Sequence, residues 1–298
     1  RRELSRGPTA RVFQDDYRLE GRTLGVGSQG EVSAAVCLSS GQRVAVKTVA
    51  LAGLDENGRL LATREADVGL ALDHPHIVRA IGVYETDKEL RLVMEGLHGG
   101  ELYSRLQENG PFQEREAAGA IRQVLLALAH IHSKGIVHRD IKIDNLLFQH
   151  RGGSTLKLID FGHARFFQPG ERMSTRAGSP SYAAPEMFAR RYYSGSCDVW
   201  SVGVLLLILL NGDLPFFGGR RSEATDAEDI AISLRAGRFS AQARDFVARL
   251  LDPDPFRRPS AAAALAHPWL GRPWTPDAAA ESAQELSRAL VSFAEASL

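Results

Sequence analysis

The sequence predicts an α+β protein in which a small antiparallel sheet with one main helix comes first and a larger, mainly helical part follows. Three observations support this prediction. Short strand-like runs separated by glycine-containing turns fill the chain up to Met94, and helical spacing of apolar residues takes over after Gly100. The most apolar run, residues 199–210, is shorter than the roughly 18 residues that cross a bilayer and is typical of a buried helix.

Composition narrows the class of protein. Of the 298 residues, 44% are hydrophobic and 24% are charged, as in an ordinary soluble globular protein. The 36 Lys and Arg balance 36 Asp and Glu, so the chain lacks the basic excess of a dedicated nucleic-acid binder. Cys37 and Cys197 are too few for a disulfide framework. We therefore expect a cytoplasmic or nuclear protein with no membrane segment and no nucleic-acid partner.

The first lobe, residues 17–95, is predicted from local patterns. Residues 1–16 before it mix Arg, Gly and Pro without apolar periodicity, so we expect a flexible basic arm there. Two β-branched runs flank the short turn at residues 39–42, which is typical of a hairpin. A helix and two further strands complete this lobe, and they are predicted at residues 60–72, 77–84 and 90–94.

The glycines of residues 96–100 predict a hinge, and residues 101–272 form the predicted second lobe. Its first long helix is indicated by Ile121, Val124 and Leu128, which recur at helical spacing. Further helices are expected to about residue 270.

The last segment, residues 273–298, is predicted to be a helical tail. Leu286, Leu290 and Phe293 share one helical stripe. Packing on the second lobe and a regulatory or partner-binding role both remain open for this stripe. The segment lacks the basic face of a calmodulin target.

A glycine-rich segment, Gly25-Val26-Gly27-Ser28-Gln29-Gly30, lies between two strand-like runs. Glycines let backbone N–H groups approach phosphate oxygens, because no Cβ stands in the way. A dinucleotide-binding loop would open into a helix, whereas residues 31–38 continue as a strand. Taken alone, the motif also fits a turn-rich hairpin without a ligand.

Lys47 ends a β-branched run, and Glu65 follows it in the predicted helix. A helix packed on the sheet would let this carboxylate reach the ammonium and hold it over the phosphates of a nucleotide. A lone lysine on a strand is more often an exposed edge charge, which is the alternative for this position.

Two further segments carry polar groups next to apolar strands. In the first, Asp140, Lys142 and Asn145 lie in one loop, where a carboxylate can face a nucleophilic hydroxyl and an amide can face a metal ion. In the second, Asp160 follows a short apolar run and precedes Phe161-Gly162. A carboxylate in that position suits Mg²⁺, which takes one or two protein oxygens.

These motifs occur in one order, followed by Ala184-Pro185-Glu186, and over residues 17–272 the chain resembles a eukaryotic protein kinase catalytic domain. The resemblance implies the bilobal protein kinase fold and transfer of the γ-phosphoryl group of ATP to serine or threonine hydroxyls of proteins. It also implies Mg²⁺ as cofactor, with Mn²⁺ as an alternative. The segments GGELYSRL, HPHIV, GSPSYAAPE and HPWL are most similar to the calcium/calmodulin-dependent and AMP-activated kinase group.

The resemblance implies a role for each motif residue. Lys47, paired with Glu65, would contact the α- and β-phosphates, and Asp140 would accept the proton of the substrate hydroxyl. Lys142 would steady the γ-phosphate. The implied metal ligands are Asn145 and Asp160. The residues implied around ATP are Gly25, Val26, Gly27, Ser28, Gly30, Val32, Ala45, Lys47, the gatekeeper Met94, and Glu95 and Leu97, whose backbone would meet adenine.

Substrate choice and regulation are also implied by the resemblance. Glu101 would favour a basic residue three positions before the acceptor, and Ser179 would support the catalytic loop. Thr175, with Ser174 beside it, matches an activation-loop phosphosite, and a phosphate there could bond to the cation of Arg139. The alternatives are a helix-capping Glu101 and an unmodified loop hydroxyl. Phosphorylation by an upstream kinase and by the chain itself both remain open.

Three charged residues are implied to be structural. Glu186 would pair with Arg258, and Asp198 would brace the catalytic loop from the apolar helix. The rival to an active kinase is a pseudokinase scaffold. Loss of a catalytic group would favour that rival, and the motifs quoted above keep all of theirs.

Overall fold

The computed structural model describes residues 12–27, 30–167, 173, 177–188, 193–215, 229–234 and 239–271. Some predictions lie outside these described residues. They concern Ser28, the phosphosites Ser174 and Thr175, and the tail at residues 273–298.

The first lobe is a five-stranded antiparallel sheet in the order β1-β2-β3-β5-β4. Its strands are β1 (Tyr17–Gly27), β2 (Gly30–Cys37), β3 (Arg43–Ala50), β4 (Ala80–Glu85) and β5 (Glu89–Glu95), and its helices are α1 (Phe13–Asp16) and α2 (Glu56–Ala71). Successive residues of a strand face opposite sides of a sheet, so alternate residues share one side. Val44 and Val46 accordingly pack together on the outer face with Phe13. The predicted small antiparallel sheet with one main helix is confirmed.

Helix α2 begins four residues earlier than the pattern of apolar residues predicted. The side chain of Asp55 accepts a hydrogen bond from the backbone N–H of Gly58 at 2.8 Å, which caps the helix. Because this cap satisfies an otherwise unpaired N–H group, the helix starts at Glu56 and carries Glu65 near its middle.

The predicted flexible arm through residue 16 differs from the structure at its end. Helix α1 closes against the sheet, and Phe13 is buried there. Its ring lies 5.5 Å from the ring of Tyr84, and the guanidinium of Arg91 lies 4.5 Å from it. A single apolar residue has no periodicity, which is why the sequence pattern did not indicate this contact.

The second lobe is mainly helical, as predicted. Its helices are α3 (Leu102–Asn109), α4 (Glu114–Ser133), α5 (Pro185–Phe188), α6 (Ser196–Asn211), α7 (Ala241–Leu250), α8 (Ala261–Ala264) and α9 (Pro268–Gly271), with residues 229–234 also helical. The second lobe also contains two short antiparallel ladders. They pair β6 (Ile136–Val137) with β9 (Arg165–Phe166) and β7 (Leu146–Phe148) with β8 (Leu156–Leu158).

Helix α6 is the centre of the second lobe. Its residues from Cys197 to Leu210 are all buried, and it packs against α4 and α7. Gly212 ends it in a left-handed conformation with φ 90° and donates its N–H to the carbonyl of Ile208. The predicted buried helix is therefore present. Among the residues that the structure covers, no helix has both the length and the apolarity that a membrane span requires.

The connection between the lobes needs glycine because other backbone comes close to it. A Cβ on Gly99 would overlap Phe148, and a Cβ on Gly96 would lie 2.7 Å from the carbonyl oxygen of Arg43. Real Cβ atoms do not approach so closely, so these two glycines let β5 run directly into the second lobe.

Candidate active site

Lys47 joins three parts of the molecule. It lies on β3, and its Nζ is 2.6 Å from Glu65 Oε1 on α2 and 3.3 Å from Asp160 Oδ1 of the second lobe. Lys47 and Glu65 are both buried. The ion pair expected from the sequence is therefore present, and it orients the ammonium toward Asp160.

The charges of this group follow from its contacts. Burial alone would lower the pKa of Lys47, but the carboxylates of Glu65 and Asp160 outweigh it and raise the pKa, so the ammonium persists. For Asp160, partial desolvation raises the pKa, yet Lys47 and the N–H of Gly162 outweigh this and the net shift is downward. Burial raises the pKa of Glu65 despite its ammonium partner.

Asp160 has an unusual backbone for a residue that is not glycine. Its φ is 61°, in the left-handed region, and Arg139 at φ 67° is the other such residue in the described part of the chain. This conformation costs about 1–3 kcal/mol and is concentrated at functional sites. The N–H of Gly162 donates to Asp160 Oδ1 at 3.1 Å and helps to hold the carboxylate.

Asp140 lies at the centre of a second group. Its Oδ1 accepts the backbone N–H of Ser179 at 2.8 Å, and its Oδ2 lies 3.0 Å from Lys142 Nζ. Lys142 also donates to the hydroxyl of Ser179 at 3.1 Å. Asn145 Nδ2 donates to the backbone carbonyl of Asp140 at 2.8 Å. The loop residues predicted to act together are therefore within hydrogen-bond distance of one another.

These donors keep Asp140 ionised. Burial raises its pKa, but the hydrogen bonds from Lys142 and Ser179 outweigh burial and lower it. Since the amide nitrogen of Asn145 is engaged, its amide oxygen is the atom left to ligate a cation. One amide oxygen and the carboxylate of Asp160 form a hard, all-oxygen donor set that fits Mg²⁺ or Mn²⁺ completed by phosphate and water.

Asp198 fixes the catalytic loop to helix α6. Its Oδ1 accepts the N–H of Arg139 at 2.7 Å, and its Oδ2 accepts the N–H of His138 at 2.9 Å. The side chain is fully buried, and Oδ2 also lies 2.8 Å from His132 Nε2. Asp198 therefore braces the loop, as the resemblance implied.

Close backbone packing brings Ser179 to the loop. Gly178 has φ 76°, and a Cβ there would overlap the carbonyl oxygen of Arg139. Only glycine allows the approach that lets the N–H of Ser179 reach Asp140. The expected ion pair between Glu186 and Arg258 is present next to this segment, with two parallel contacts of 2.7 and 2.8 Å.

The residues predicted around ATP lie on neighbouring strands. In the register of the sheet, Val32 is opposite Lys47 and Ala45 is opposite Met94. Met94 contacts both the core of the second lobe and the core under α2. At Gly30 an added Cβ would overlap the carbonyl of Thr48.

The remaining predicted nucleotide contacts lie at the tip and at the hinge. Gly25 pairs with Val32, and Val26, the next residue of β1, is 80% exposed at the strand tip. Gly27 pairs with Gly30 across the turn. Leu97 is half-buried against the second lobe.

Glu101 immediately precedes α3 and is exposed. Its side chain makes no capping hydrogen bond, although it occupies the N-cap position. A groove of about 570 Å³ runs between α3, the catalytic loop and the end of α6. The groove is lined by Lys142 and Ser179, and Asp144 and Asp213 add two carboxylates to its wall.

The sequence patterns did not indicate two further polar groups near this site. His132 contacts Asp198, and Lys157 lies in β8 with its ammonium 2.6 Å from Glu95 Oε1. A lysine between two leucines in a short run has the pattern of a strand with one polar face. Only the partner residue, far away in sequence, distinguishes a buried lysine from an exposed one.

Comparison with known proteins agrees with this geometry. Residues 18–270 match the family described as Protein kinase domain. The chain is 40% identical over 280 residues to the calcium/calmodulin-dependent protein kinase cmkA of Emericella nidulans, covering 90% of this chain and 65% of that protein. It is 37% identical over 272 residues to calcium-dependent protein kinase 14 of Arabidopsis thaliana, covering 88% and 51%. Identity to the serine/threonine-protein kinase GIN4 of Saccharomyces cerevisiae is 36% over 275 residues, covering 84% and 24%. The chain thus spans less than two thirds of each of these three relatives.

Proposed function

The chain belongs to the protein kinase domain family, and from this premise we propose that it transfers the γ-phosphoryl group of ATP to serine and threonine hydroxyls of proteins. The observation that carries the proposal is the contact network of Asp140 with Lys142, Asn145 and Ser179. Catalysis of phosphoryl transfer depends mainly on positioning and electrostatic stabilisation, and this network supplies both.

Each residue has a role in the proposed reaction. Lys47, held by Glu65, binds the α- and β-phosphate oxygens, while Asn145 and Asp160 would hold Mg²⁺ or Mn²⁺, which neutralises charge on the phosphates when bound. Asp140 orients the substrate hydroxyl. The hydroxyl oxygen bonds to the γ-phosphorus as the bond to the β-phosphate oxygen breaks, so ADP leaves and the hydroxyl proton passes to Asp140.

The test is transfer of labelled γ-phosphate from Mg-ATP to an array of serine and threonine peptides. Asp140→Asn should lose nearly all activity, because an amide cannot accept the proton. Asp245→Asn changes an exposed carboxylate of α7 in the same way and should retain activity. The absence of transfer by the wild-type chain, even after phosphorylation of Thr175, would favour the pseudokinase scaffold instead.

We further propose that the enzyme prefers a basic residue three positions before the acceptor. Support comes from Glu101, whose exposed side chain is not used as a helix cap, and from the carboxylates of Asp144 and Asp213 in the groove between α3 and the catalytic loop. Glu101→Gln should raise KM about tenfold for a peptide with Arg at that position and leave KM for the matched Ala peptide unchanged. Equal changes for both peptides would contradict the preference.

Activation by phosphorylation of Thr175 is the third part of the proposal. Arg139 supports it, because its guanidinium lies between the carbonyl of His163 at 2.7 Å and the hydroxyl of Tyr193 at 3.3 Å, close to the strand bridge of Met173. A phosphate could add charge-assisted bonds to this cation. Equal activity of wild type and Thr175→Ala, before and after phosphatase treatment, would contradict it. An upstream kinase and autophosphorylation are distinguished by whether the purified wild-type chain becomes labelled at Thr175 when it is incubated alone with labelled ATP. The inactive Asp140→Asn chain is the negative control.

A cytoplasmic or nuclear location is also proposed. Its support is that Cys37 and Cys197 are both free thiols, which is the usual state in a reducing compartment.

A further inference from the structure

A buried ion pair lies behind the proposed nucleotide site and takes no part in the transfer chemistry. Lys157 Nζ on β8 is 2.6 Å from Glu95 Oε1 at the end of β5, and the two side chains are only 7% and 12% exposed. Lys157 also donates to the backbone carbonyl of Ile77 at 3.2 Å. The same Glu95 oxygen accepts the N–H of Arg79 at 2.8 Å.

This pair connects three segments that are far apart in sequence. Glu95 begins the connection between the lobes, residues 77–79 lead from α2 into β4, and β8 leads to Asp160. Backbone bonds run alongside the ion pair. They join Glu95 to Arg79 at 3.0 Å and Val78 to Leu158 at 2.9 Å. The hinge and the metal-ligating carboxylate are therefore linked through one continuous set of hydrogen bonds.

Stability alone does not account for a charged pair in this place. Desolvation of two charges offsets most of their attraction, and apolar residues of similar size often stabilise a fold equally well or better. The pair instead ties β8 to the hinge, because a buried ammonium is costly unless it stays within hydrogen-bond distance of its partners. Each partner here also has a second, backbone contact.

We propose that Lys157 is a positioning residue, which holds the hinge backbone of Glu95 and Leu97 in place relative to Asp160 and so sets the affinity for ATP. The inference rests on the proposed ATP-dependent activity. Adenine would meet the hinge backbone while the phosphates meet Asp160 through the metal. A shift between these two ends weakens both sets of contacts at once, and catalytic sites are sensitive to displacements of that kind.

The test uses steady-state kinetics of the full chain. Lys157→Met keeps the length of the side chain and removes its charge. It should raise KM for ATP about tenfold, which is equivalent to about one lost hydrogen bond. The values of kcat and of KM for the peptide should change by no more than about twofold. Lys88→Met, at an exposed turn between β4 and β5, is the matched control and should change neither.

A double variant separates positioning from folding. Lys157→Met leaves the Glu95 carboxylate buried without its cation, which also destabilises the fold. Lys157→Met with Glu95→Gln removes that charge while keeping an oxygen for the N–H of Arg79, so stability should recover while KM for ATP stays raised. Recovery of both together would mean a purely structural role and would overturn the proposal.

Calorimetric titration with Mg-ATP separates this inference from the proposed function. Binding to the wild-type chain with about tenfold weaker binding to the double variant supports positioning. Equal affinities overturn the positioning role alone. A wild-type chain that binds no nucleotide overturns the role of Lys157 together with the proposed function.

Discussion

At the scale of single residues, three aspartates show how contacts decide what one side chain does. Desolvation raises the pKa of Asp140, Asp160 and Asp198, and in each case hydrogen bonds and nearby cations outweigh it. The donors differ. Asp140 faces a side chain and a backbone N–H of the catalytic region, Asp160 faces Lys47, and Asp198 faces backbone N–H groups and a histidine. Of the three, only Asp140 and Asp160 have proposed ligands, which are the substrate hydroxyl and the metal ion.

Asp198→Asn should destabilise the fold by about 2–4 kcal/mol, measured by urea unfolding. An amide presents one oxygen to the N–H groups of His138 and Arg139, and its NH₂ group then opposes the second donor. Asp245→Asn is the control, because that carboxylate is 51% exposed, and it should cost less than about 1 kcal/mol. Equal losses in the two variants would mean that Asp198 is not the anchor of the loop.

At the scale of elements, a short helix closes the outer face of the first lobe. Helix α1 buries Phe13 over β-strand residues Val44 and Val46, and Tyr84 donates its hydroxyl to Asp16 Oδ2 at 2.7 Å. Four residues could not hold a helix by themselves. The element therefore exists because of the sheet beneath it.

Phe13→Ala should lower the free energy of unfolding by about 3 kcal/mol, because it removes a buried ring that touches two aromatic neighbours. Val12→Ala next to it alters a side chain that is 50% exposed and should have little effect. Thermal or urea unfolding measures both. A loss below about 1 kcal/mol for Phe13→Ala would show that residues 12–16 are not part of the folded lobe.

Helix α5 is held by an ion pair with the segment before α8. Arg258→Met should cost about 3–5 kcal/mol, since it leaves the Glu186 carboxylate buried without its cation. Adding Glu186→Gln should restore most of that loss. Arg257→Met removes the neighbouring guanidinium, which is 76% exposed, and should be almost neutral by the same unfolding measurement. If Arg258→Met left the free energy of unfolding unchanged, the ion pair would not be what holds helix α5 in place.

The elements also show what the sequence could and could not predict. Helix α4 was predicted from the helical spacing of its apolar residues, and α6 was predicted from its continuous apolar run. The motif residues around Lys47 and Asp140 were identified from their order along the chain. Helix α1 and the pair of Lys157 with Glu95 were missed, since both depend on contacts between distant segments.

At the scale of the whole molecule, His74 and His76, which follow α2, meet His130 of helix α4 in the second lobe. The rings of His74 and His130 stack at 5.2 Å, and His76 lies 5.6 Å from His74. His76 donates its backbone N–H to His74 Nδ1 at 3.2 Å, so that nitrogen carries no proton in this arrangement. The stacked rings of His74 and His130 thus join the segment leading to β4 with α4.

The surroundings of the His74 and His130 rings oppose their protonation. Burial lowers the pKa of His74 most, and His130, His76 and Lys157 lower it further while Asp73 opposes them. Burial also lowers the pKa of His130, with Lys134 acting in the same direction and Asp73 against it.

Acid should therefore destabilise the contact between His74 and His130 and lower the free energy of unfolding. Histidines in the unfolded chain keep a pKa of about 6.5, so as the pH falls through that value the unfolded state binds more protons than the folded state and stability decreases. Urea unfolding at about pH 7.5, 6.5 and 5.5 should show this loss. His74→Asn with His130→Phe keeps an acceptor for the N–H of His76 and an aromatic ring on α4 without the two titrating groups, and it should flatten the slope. His138, whose pKa burial also lowers, remains in that variant and accounts for the residual slope. An unchanged slope would place the acid sensitivity elsewhere than at this contact.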